Sequence, residues 1–340
     1  MNRNQPARRR FSRVASIWRS GLRSKMSRGG AVDLTGLSGE QVSEWLQSFD
    51  TVLCDGDGTI WQDDTAIAGA PDVVNALQDR FGKKVYLITN NGLKTRHELF
   101  ERCQRLGFHL PSDRHIISPT AAISDYLVGS PQFDRTRHKV YVVGNAAIAR
   151  ELRQHGIDSY GAGGTDELPP GDKWPDFVAR EFGNSEAARD VGAVVVGWDE
   201  YFSYCKMARA CHILCSNPDA AFLVTNRDAV HKYPAFCIPG TGAFVAGIEA
   251  CSEREALEMG KPNPLVLEPL TKAEELRTER TLMIGDCLKI DVGFASNCGM
   301  LSLLVGTGRY SNLSDVQREK DRLPQPDFYL PRLCDLLPLL

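Results

Sequence analysis

The chain has 340 residues, of which 42 % are apolar and 24 % are charged, and this is enough for two globular domains. Its glycine and proline contents are ordinary, which excludes collagen-like and wholly disordered proteins. No run of about 18 apolar residues is present, so the sequence predicts no membrane span and no membrane partner. The 10 cysteines form no Cys-x-x-Cys pair, which argues against a structural zinc site.

The net charge of −3 is distributed unevenly between a basic N-terminal arm and an acidic body. Residues 1–32 contain nine basic residues and no acidic residue. Removing those nine from the total leaves 31 basic against 43 acidic residues, so the body carries a net charge of −12. Because such a body repels a polyanion, we expect no nucleic-acid partner, and binding of nucleic acid through the arm alone is the alternative.

The arm has the composition of a targeting segment. Phe11, Val14, Trp18 and Leu22 recur at helical spacing among arginines and serines, as in mitochondrial transit peptides. A disordered basic tail is the alternative interpretation. Met26 offers an internal start that would remove most of the arm.

Beyond the arm, short apolar runs alternate with amphipathic segments. Strands are predicted at residues 51–55, 84–89, 139–144, 193–197, 221–225, 280–286 and 299–305. Helices are predicted at residues 33–49, 71–81, 97–106, 146–154 and 204–214. This alternation predicts an α/β fold in which helices cover both faces of a Rossmann-like parallel sheet.

The same pattern predicts that one domain is inserted into another. We place a core domain at residues 33–119 and 246–340, and an inserted α/β cap domain at residues 120–245. Within the cap, residues 163–190 are rich in glycine, proline and acidic side chains, and this composition predicts a surface excursion.

Two carboxylates follow the first predicted strand in the sequence Asp55-Gly-Asp57-Gly-Thr59. The glycines allow a sharp turn without side chains that would block a ligand. Carboxylates two residues apart can converge on one centre, one as nucleophile and one as acid–base, and can hold a hard cation such as Mg²⁺. A loop with Asp-Gly turns is the alternative, and the long buried strand before it favours the functional interpretation.

Further polar groups are predicted where strands end, which is where open parallel sheets bind ligands. Asp286 ends one strand and is a candidate third cation ligand or, alternatively, a helix N-cap. Thr89, Asn90 and Asn91 end another strand and offer a hydroxyl, amides and backbone N–H groups to an anion. Lys261, fixed between a glycine and a proline, can neutralise a phosphate oxygen, and a solvated loop lysine is the alternative.

Together and in this order, these elements resemble the haloacid dehalogenase superfamily of aspartate-nucleophile phosphatases. The matching residues are Asp55 and Asp57 in the first motif, Thr89 in the second, Lys261 in the third, and Gly285-Asp286 with Asp291 in the fourth. Further segments resemble the branch that contains phosphoglycolate phosphatase and pyridoxal phosphatase, also called 4-nitrophenylphosphatases. These segments are residues 57–61, 89–91, 94–96, 194–199, 202–204, 239–242 and 326–329. The resemblance extends over residues 34–340 and leaves out only the arm.

The resemblance implies a Mg²⁺-dependent phosphomonoester hydrolase that works through an aspartyl-phosphate intermediate. Asp55 is then the nucleophile, and Asp57 is the general acid and afterwards the general base. The Mg²⁺ ligands are expected to be Asp55, a backbone carbonyl of Asp57, and Asp286. The residues expected to bind the phosphate group are Thr89, Asn90, Asn91 and Lys261.

The expected substrate is 2-phosphoglycolate or a similar small phosphate monoester, and pyridoxal 5′-phosphate is the alternative. Trp198 and His231 are candidate specificity residues, because an aromatic face and an imidazole can flank a planar ring. The spacing from Asp228 to His231 resembles that of pyridoxal phosphatase. Alternatively, Trp198 belongs to the core of the cap and His231 lies in a surface loop, and neither contacts the substrate.

The resemblance also implies a homodimer formed through the cap and a cytoplasmic location, whereas the arm favours the mitochondrial matrix. A cap of this kind is expected to exclude water from the phosphoenzyme. Two positions depart from the branch: Gly92-Leu93, where serine usually follows the asparagine pair, and Lys289, where an acidic residue is usual. Both departures leave the nucleophile, the acid–base and the principal ligands intact.

Overall fold

The structure is a computed structural model, and it describes residues 30–165, 171, 173–183, 186–232 and 236–340. The predictions for the arm before residue 30 therefore lie outside the described residues.

The contacts among the described residues divide the chain into two compact units. The first unit consists of the described residues up to Thr89 together with Leu99–Ile117 and Lys261–Leu340. The second unit consists of Asn90–Glu98 and Ser118–Gly260. Each unit contains its own parallel sheet with helices beside it.

The sheet of the first unit has seven strands, all parallel. Their order across the sheet is Val32–Asp33, Phe328–Leu330, Leu301–Val305, Thr281–Gly285, Thr51–Cys54, Lys84–Ile88 and Ile116–Ile117. The central pair is fully buried, and Cys54 lies opposite Ile284 in its register. Parallel neighbours end at the same edge of a sheet, so the residues that follow Cys54 and Gly285 emerge side by side.

Helices and one small hairpin complete the first unit. Its helices are Gly39–Gln47, Ala70–Asn75, Glu268–Lys272, Gly293–Cys298 and Leu313–Arg318, with π-helical turns at Ala76–Arg80 and Leu288–Val292. Its 3₁₀ turns are Leu34–Gly36, Asp113–His115, Pro264–Leu267, Thr278–Arg280 and Leu333–Leu339. The helix Arg96–Arg105 begins in the second unit and ends in the first. The hairpin pairs Trp61–Gln62 with Thr65–Ala66.

The helix Gly39–Gln47 shows how the sequence pattern becomes packing. Its N-terminus is closed by a capping box, because Ser38 and Gln41 each accept the other's backbone N–H. One face then buries Trp45, whose ring meets Phe49 and Phe328 edge-on. The helix therefore packs against both the segment that precedes the strand Thr51–Cys54 and the strand Phe328–Leu330.

The sheet of the second unit has five parallel strands. Their order is Leu257–Glu258, Ala221–Val224, Val191–Val196, Lys139–Val143 and Ser159–Tyr160. Its helices are Pro119–Gly129, Ala146–Gln154, Trp174–Phe182, Glu186–Arg189, Tyr204–Ser216 and Thr241–Ser252, with a 3₁₀ turn at Gly163–Thr165. An antiparallel hairpin pairs Val230–Lys232 with Cys237–Pro239. Two parallel sheets flanked by helices confirm the predicted α/β class, and no helix in the described ranges is long and apolar enough to cross a membrane.

The predicted surface excursion at residues 163–190 contains a helix with a buried side. Within Trp174–Phe182, Phe177 is fully buried, and the guanidinium groups of Arg180 and Arg209 lie 5.8 and 5.4 Å from the centre of its ring. The surrounding glycine and acidic residues hide the helical signal in the sequence. Pro175 is compatible with the helix because the first turn needs no N–H from it.

A reciprocal pair of buried polar groups generates a prediction about the sheet of the first unit. Asp327 Oδ2 accepts both the backbone N–H and the hydroxyl of Ser302, and the Ser302 hydroxyl in turn accepts the Asp327 N–H. Replacing Ser302 by alanine removes the hydroxyl that accepts the Asp327 N–H and that donates to Asp327 Oδ2, so we expect Ser302→Ala to lower the free energy of unfolding by about 1–3 kcal/mol. Urea unfolding measures this difference.

Ser296→Ala is the matched control, because Ser296 is exposed on a nearby helix. Its effect should stay within about 0.5 kcal/mol. Equal stability of the two variants would contradict the role of Ser302 as a link between strands.

Candidate active site

Asp55 begins the site at the edge where the two central strands end. Its backbone N–H donates to the carbonyl oxygen of Ile284 at 2.8 Å, so the ladder of the sheet extends to this residue. Its carboxylate is buried, and the Thr59 hydroxyl lies 3.4 Å from Oδ2. The strand therefore holds the nucleophile candidate in one orientation.

Lys261 connects Asp55 to a second carboxylate. Its Nζ donates to Asp55 Oδ1 at 2.6 Å and to Asp291 Oδ1 at 2.7 Å, and its side chain is only 1 % exposed. The other oxygen of Asp291 accepts the backbone N–H of Cys287 at 3.0 Å. Lys261 is thus an internal cation fixed by two charge-assisted hydrogen bonds.

Asp286 is the third carboxylate of the cluster. In the part of the chain that the structure describes, Asp55, Asp286 and Asp291 form an acidic group whose ligand oxygens all lie within 4.8 Å of one another. Space beside Asp286 depends on glycine: a Cβ added at Gly58 would lie 2.7 Å from Asp286 Oδ2, and one at Gly308 only 1.8 Å away. Gly58 also has a φ of 83°, a conformation that favours glycine.

The cluster contains three carboxylates and one ammonium group, so negative charge is in excess when all three carboxylates are ionised. Burial raises the pKa of Asp55 to about 8, although Lys261 opposes the shift. Burial and then the Asp291 charge raise the pKa of Asp286 to about 6. Burial disfavours the charged form of Lys261, but Asp291 and Asp55 outweigh it and raise its pKa. A hard divalent cation fits this environment, because it would compensate the excess charge through oxygen ligands.

Asp57 does not belong to this acidic group in the described residues, although its charge acts on Asp286, and it lies on the tight turn that follows Asp55. The turn closes because the carbonyl oxygen of Gly56 accepts the N–H groups of Thr59, Ile60 and Trp61. The Asp57 side chain is 51 % exposed, and its Oδ1 accepts the indole N–H of Trp61 at 2.9 Å. A carboxyl group that is held on one side and open on the other can exchange a proton with a substrate or a water.

The residues predicted to bind phosphate divide between the two units. Thr89 follows the strand Lys84–Ile88, next to the strand that ends before Asp55, and its N–H donates to Ile117. Asn90 and Asn91 belong to the second unit, where the Asn90 carbonyl accepts the Asn226 amide and Asn91 Oδ1 accepts the Leu93 N–H.

The structure places the candidate specificity residue His231 in the second unit as well. It lies in the strand Val230–Lys232, opposite Ile238. The structure thus brings Asp55, Lys261 and Asp286 together within the first unit.

Sequence reasoning underestimated Asp291 and missed Gly308. Asp291 was recognised from its spacing after Asp286, but its ion pair with Lys261 was not predicted. Gly308 carries no motif, and only the folded chain shows that a side chain there would collide with Asp286. Lys289, the departure from the branch pattern, is exposed and lies outside the acidic cluster.

Two family profiles match separate parts of the chain. Residues 52–158 match the haloacid dehalogenase-like hydrolase profile, and residues 258–336 match the HAD-hydrolase-like profile. Glycerol-3-phosphate phosphatase of Gallus gallus is 34 % identical over 313 residues, which cover 89 % of this chain and 96 % of the relative. The chloroplastic phosphoglycolate phosphatase 1A of Arabidopsis thaliana is 33 % identical over 88 % of this chain and 79 % of its own length.

Solved structures share the fold at lower identity. The 4-nitrophenylphosphatase of Thermotoga maritima superposes with a TM-score of 0.67 at 23 % identity, over 86 % of this chain and 97 % of that one. The glycerol phosphate phosphatase Rv1692 of Mycobacterium tuberculosis was solved in complex with magnesium. It superposes with a TM-score of 0.65 at 22 % identity, over 86 % of this chain and 77 % of that one. At these identities the likeness concerns the fold alone, and it agrees with the predicted architecture.

The charge balance of the cluster generates a prediction about stability. Lys261→Met removes the only ammonium group that the described contacts give the cluster, and leaves buried carboxylates unpaired. We expect the free energy of unfolding at neutral pH to fall by about 3–5 kcal/mol, as measured by denaturant titration.

Lys289→Met is the matched control, since it removes an exposed lysine from the adjacent turn. Its effect should be within about 0.5 kcal/mol. A Lys261→Met protein as stable as this control would show that Lys261 does not hold the carboxylates.

Proposed function

This chain belongs to the haloacid dehalogenase-like hydrolases and is a phosphatase, and we propose that it hydrolyses small phosphate monoesters through a phosphoryl group carried on Asp55. One observation supports this proposal above the others: the contact between Asp55 and the buried ammonium of Lys261 at the edge where parallel strands end. A carboxylate presented there beside a fixed positive charge can meet a phosphate group that the same charge attracts.

The proposed reaction has two steps. In the first, an oxygen of Asp55 bonds to phosphorus, the bond from phosphorus to the ester oxygen breaks, and Asp57 gives its proton to the departing alcohol. In the second, a water bonds to phosphorus while Asp57 accepts its proton, and the bond between phosphorus and Asp55 breaks. Phosphate leaves, and both carboxyl groups return to their starting states.

Other residues bind and orient the phosphoryl group in this proposal. Lys261 faces the site and compensates negative charge, and Thr89 contributes from the neighbouring strand end. Asp291 holds Lys261 in place, because both of its carboxylate oxygens accept hydrogen bonds from the chain itself. Asn90 and Asn91 remain proposed phosphate ligands from the second unit.

Mg²⁺ is the cofactor we propose, with Asp55, Asp286 and the backbone carbonyl of Asp57 as its ligands. The excess of negative charge and the oxygen donors of Asp55 and Asp286 fit a hard cation. The ion would neutralise phosphoryl oxygens and orient the group for attack. The magnesium in the structure of the Mycobacterium tuberculosis phosphatase is consistent with this choice.

We further propose that the substrate is the phosphate of a short acyclic alcohol, either 2-phosphoglycolate or glycerol 3-phosphate. Two relatives at 33 and 34 % identity carry those two compounds in their names, and both compounds are small. The homodimer formed through the cap, and the choice between cytoplasm and mitochondrial matrix, stay predictions from the sequence.

Replacing the nucleophile should abolish turnover without unfolding the chain. We expect Asp55→Asn to lose at least about 10³-fold in kcat on 4-nitrophenyl phosphate, because the amide cannot form the covalent intermediate. Asp63→Asn, an exposed carboxyl in the hairpin turn that follows, should keep normal activity. A near-normal rate for Asp55→Asn in a folded protein would contradict the mechanism.

Removing divalent cations should stop the reaction reversibly. EDTA-treated enzyme is expected to be inactive, and added Mg²⁺ should restore activity and raise Tm, because the ion binds the folded state. In Asp286→Asn the increase of Tm with Mg²⁺ should be much smaller. Full activity in EDTA, or an unchanged Tm response in Asp286→Asn, would exclude this metal site.

A comparison of kcat/KM on purified protein tests the substrate. Glycerol 3-phosphate or 2-phosphoglycolate should exceed pyridoxal 5′-phosphate by tenfold or more, which corresponds to about 1.4 kcal/mol of transition-state binding. His231→Ala measures the contribution of the second unit, and His109→Ala, an exposed histidine of the first unit, is its control. A tenfold preference for pyridoxal 5′-phosphate that disappears in His231→Ala would reverse the assignment.

A further inference from the structure

Trp61 and Arg102 form a buried pair beside Asp57. Trp61 is fully buried, and its indole N–H lies 2.9 Å from Asp57 Oδ1. The guanidinium carbon of Arg102 is 4.4 Å from the centre of the Trp61 ring, and its Nη1 lies 4.0 Å from the same Asp57 oxygen. Asp64 is the other carboxylate near this guanidinium, with its Oδ1 at 3.9 Å from Nη2.

The burial of Arg102 has a cost that its described contacts only partly offset. Its side chain is 5 % exposed, both carboxylates lie at the limit of an ion pair, and in the described part of the chain its Nε has no hydrogen-bond partner. A buried guanidinium is normally held by close hydrogen bonds to a carboxylate. Here the principal contact of the cation is the face of an indole ring.

The ring has little freedom to move. Phe108 meets it edge-on at 6.3 Å, and a Cβ added at Gly56 would lie 2.6 Å from one of its carbons. A cation above the indole also withdraws electron density from the ring, which makes the N–H a stronger donor. Trp61 therefore presents a fixed and polarised donor to a single oxygen of Asp57.

We propose that Trp61 and Arg102 are positioning residues that orient Asp57 for proton transfer, an inference that rests on the function proposed above. Both residues approach Oδ1, so Oδ1 is held as the acceptor and Oδ2 is the oxygen that transfers the proton. In the first step the proton moves from Oδ2 to the ester oxygen as its bond to phosphorus breaks. In the second step Oδ2 accepts a proton from the attacking water.

The leaving group provides the test. An alkoxide needs a proton to depart, whereas 4-nitrophenolate is a stable anion and departs without one. Since kcat/KM reports steps up to formation of the phosphoenzyme, the ratio of kcat/KM for 4-nitrophenyl phosphate to that for an alkyl phosphate isolates the contribution of the acid. The alkyl phosphate is the one that the wild-type protein hydrolyses fastest, with glycerol 3-phosphate tried first.

Trp61→Phe removes the N–H and keeps an aromatic ring, and Arg102→Met removes the charge and keeps a long side chain. In both variants the ratio should rise roughly tenfold or more. General acid–base catalysis contributes about 10²–10⁴-fold to the rate, and these variants are expected to lose part of that contribution. Arg102→Lys should recover most of the loss, because it restores a cation beside the ring. Asp64→Asn contacts the same arginine but not Asp57, and should leave the ratio within about twofold of the wild-type value.

Asp57→Asn separates failure of this inference from failure of the proposed function. If Asp57→Asn does not raise the ratio, Asp57 is not the acid, and the positioning role falls together with the acid–base step of the proposed mechanism. If Asp57→Asn raises the ratio and Arg102→Met does not, only the positioning role is overturned. The comparison of these two variants tests the positioning role even if the Trp61→Phe protein does not fold. Equal losses of kcat/KM on both substrates in the Trp61 and Arg102 variants would show a merely structural role. In the Asp57→Asn background, by contrast, Arg102→Met should not change the ratio further, because the group that Arg102 positions is already missing.

Discussion

The ammonium group of Lys261 is the contact on which the organisation of the site depends. It lies 2.6 Å from Asp55 and 2.7 Å from Asp291, out of contact with solvent. Without it, three carboxylates, two of them buried, would repel one another at the end of a sheet. With it, the carboxylates still outnumber the ammonium group, and this imbalance is the basis for proposing a divalent cation and a reaction at a phosphate group in the same place.

The sheet explains why these residues meet at all. The register that sets Cys54 opposite Ile284 makes two central strands end together, and the chain places Asp55 after one and Asp286 after the other. Glycine at positions 58 and 308 keeps the space beside Asp286 open. The positions of the site residues therefore depend on backbone geometry as well as on charge.

The sequence was sufficient for the parallel sheets because their strands are apolar throughout and alternate with helical patterns. It also singled out Asp55, Lys261 and Asp286, which stand next to glycines or at the ends of such runs and which the structure brings together, while their roles stay predictions. The sequence did not predict features that depend on contacts between residues far apart in the chain. The helix Trp174–Phe182 was missed because its flanks have a loop composition, and the contact of Arg102 with Trp61 joins residues of distant segments that no local pattern connects.

Substrate choice lies outside the chemistry of the cluster. Relatives at nearly the same identity bear the names of two different phosphates, so about one third identity does not determine which alcohol is released. Differences of that kind need only about 1–3 kcal/mol, which one or two contacts to the alcohol supply. By contrast, in the proposed mechanism the contact between Lys261 and Asp55 serves the phosphate group that all such substrates share.

The central claim is that Asp55 carries the phosphoryl group, and trapping that species tests it most directly. The Asp57→Asn protein, mixed with 4-nitrophenyl phosphate, whose leaving group needs no proton, and quenched in acid, should accumulate the intermediate, because the base for its hydrolysis is missing. Mass spectrometry of the digested chain should then find one phosphoryl group on the peptide that contains Asp55. A phosphoryl group on another residue, or turnover by the wild-type protein with no phosphorylated peptide at any time, would contradict the account.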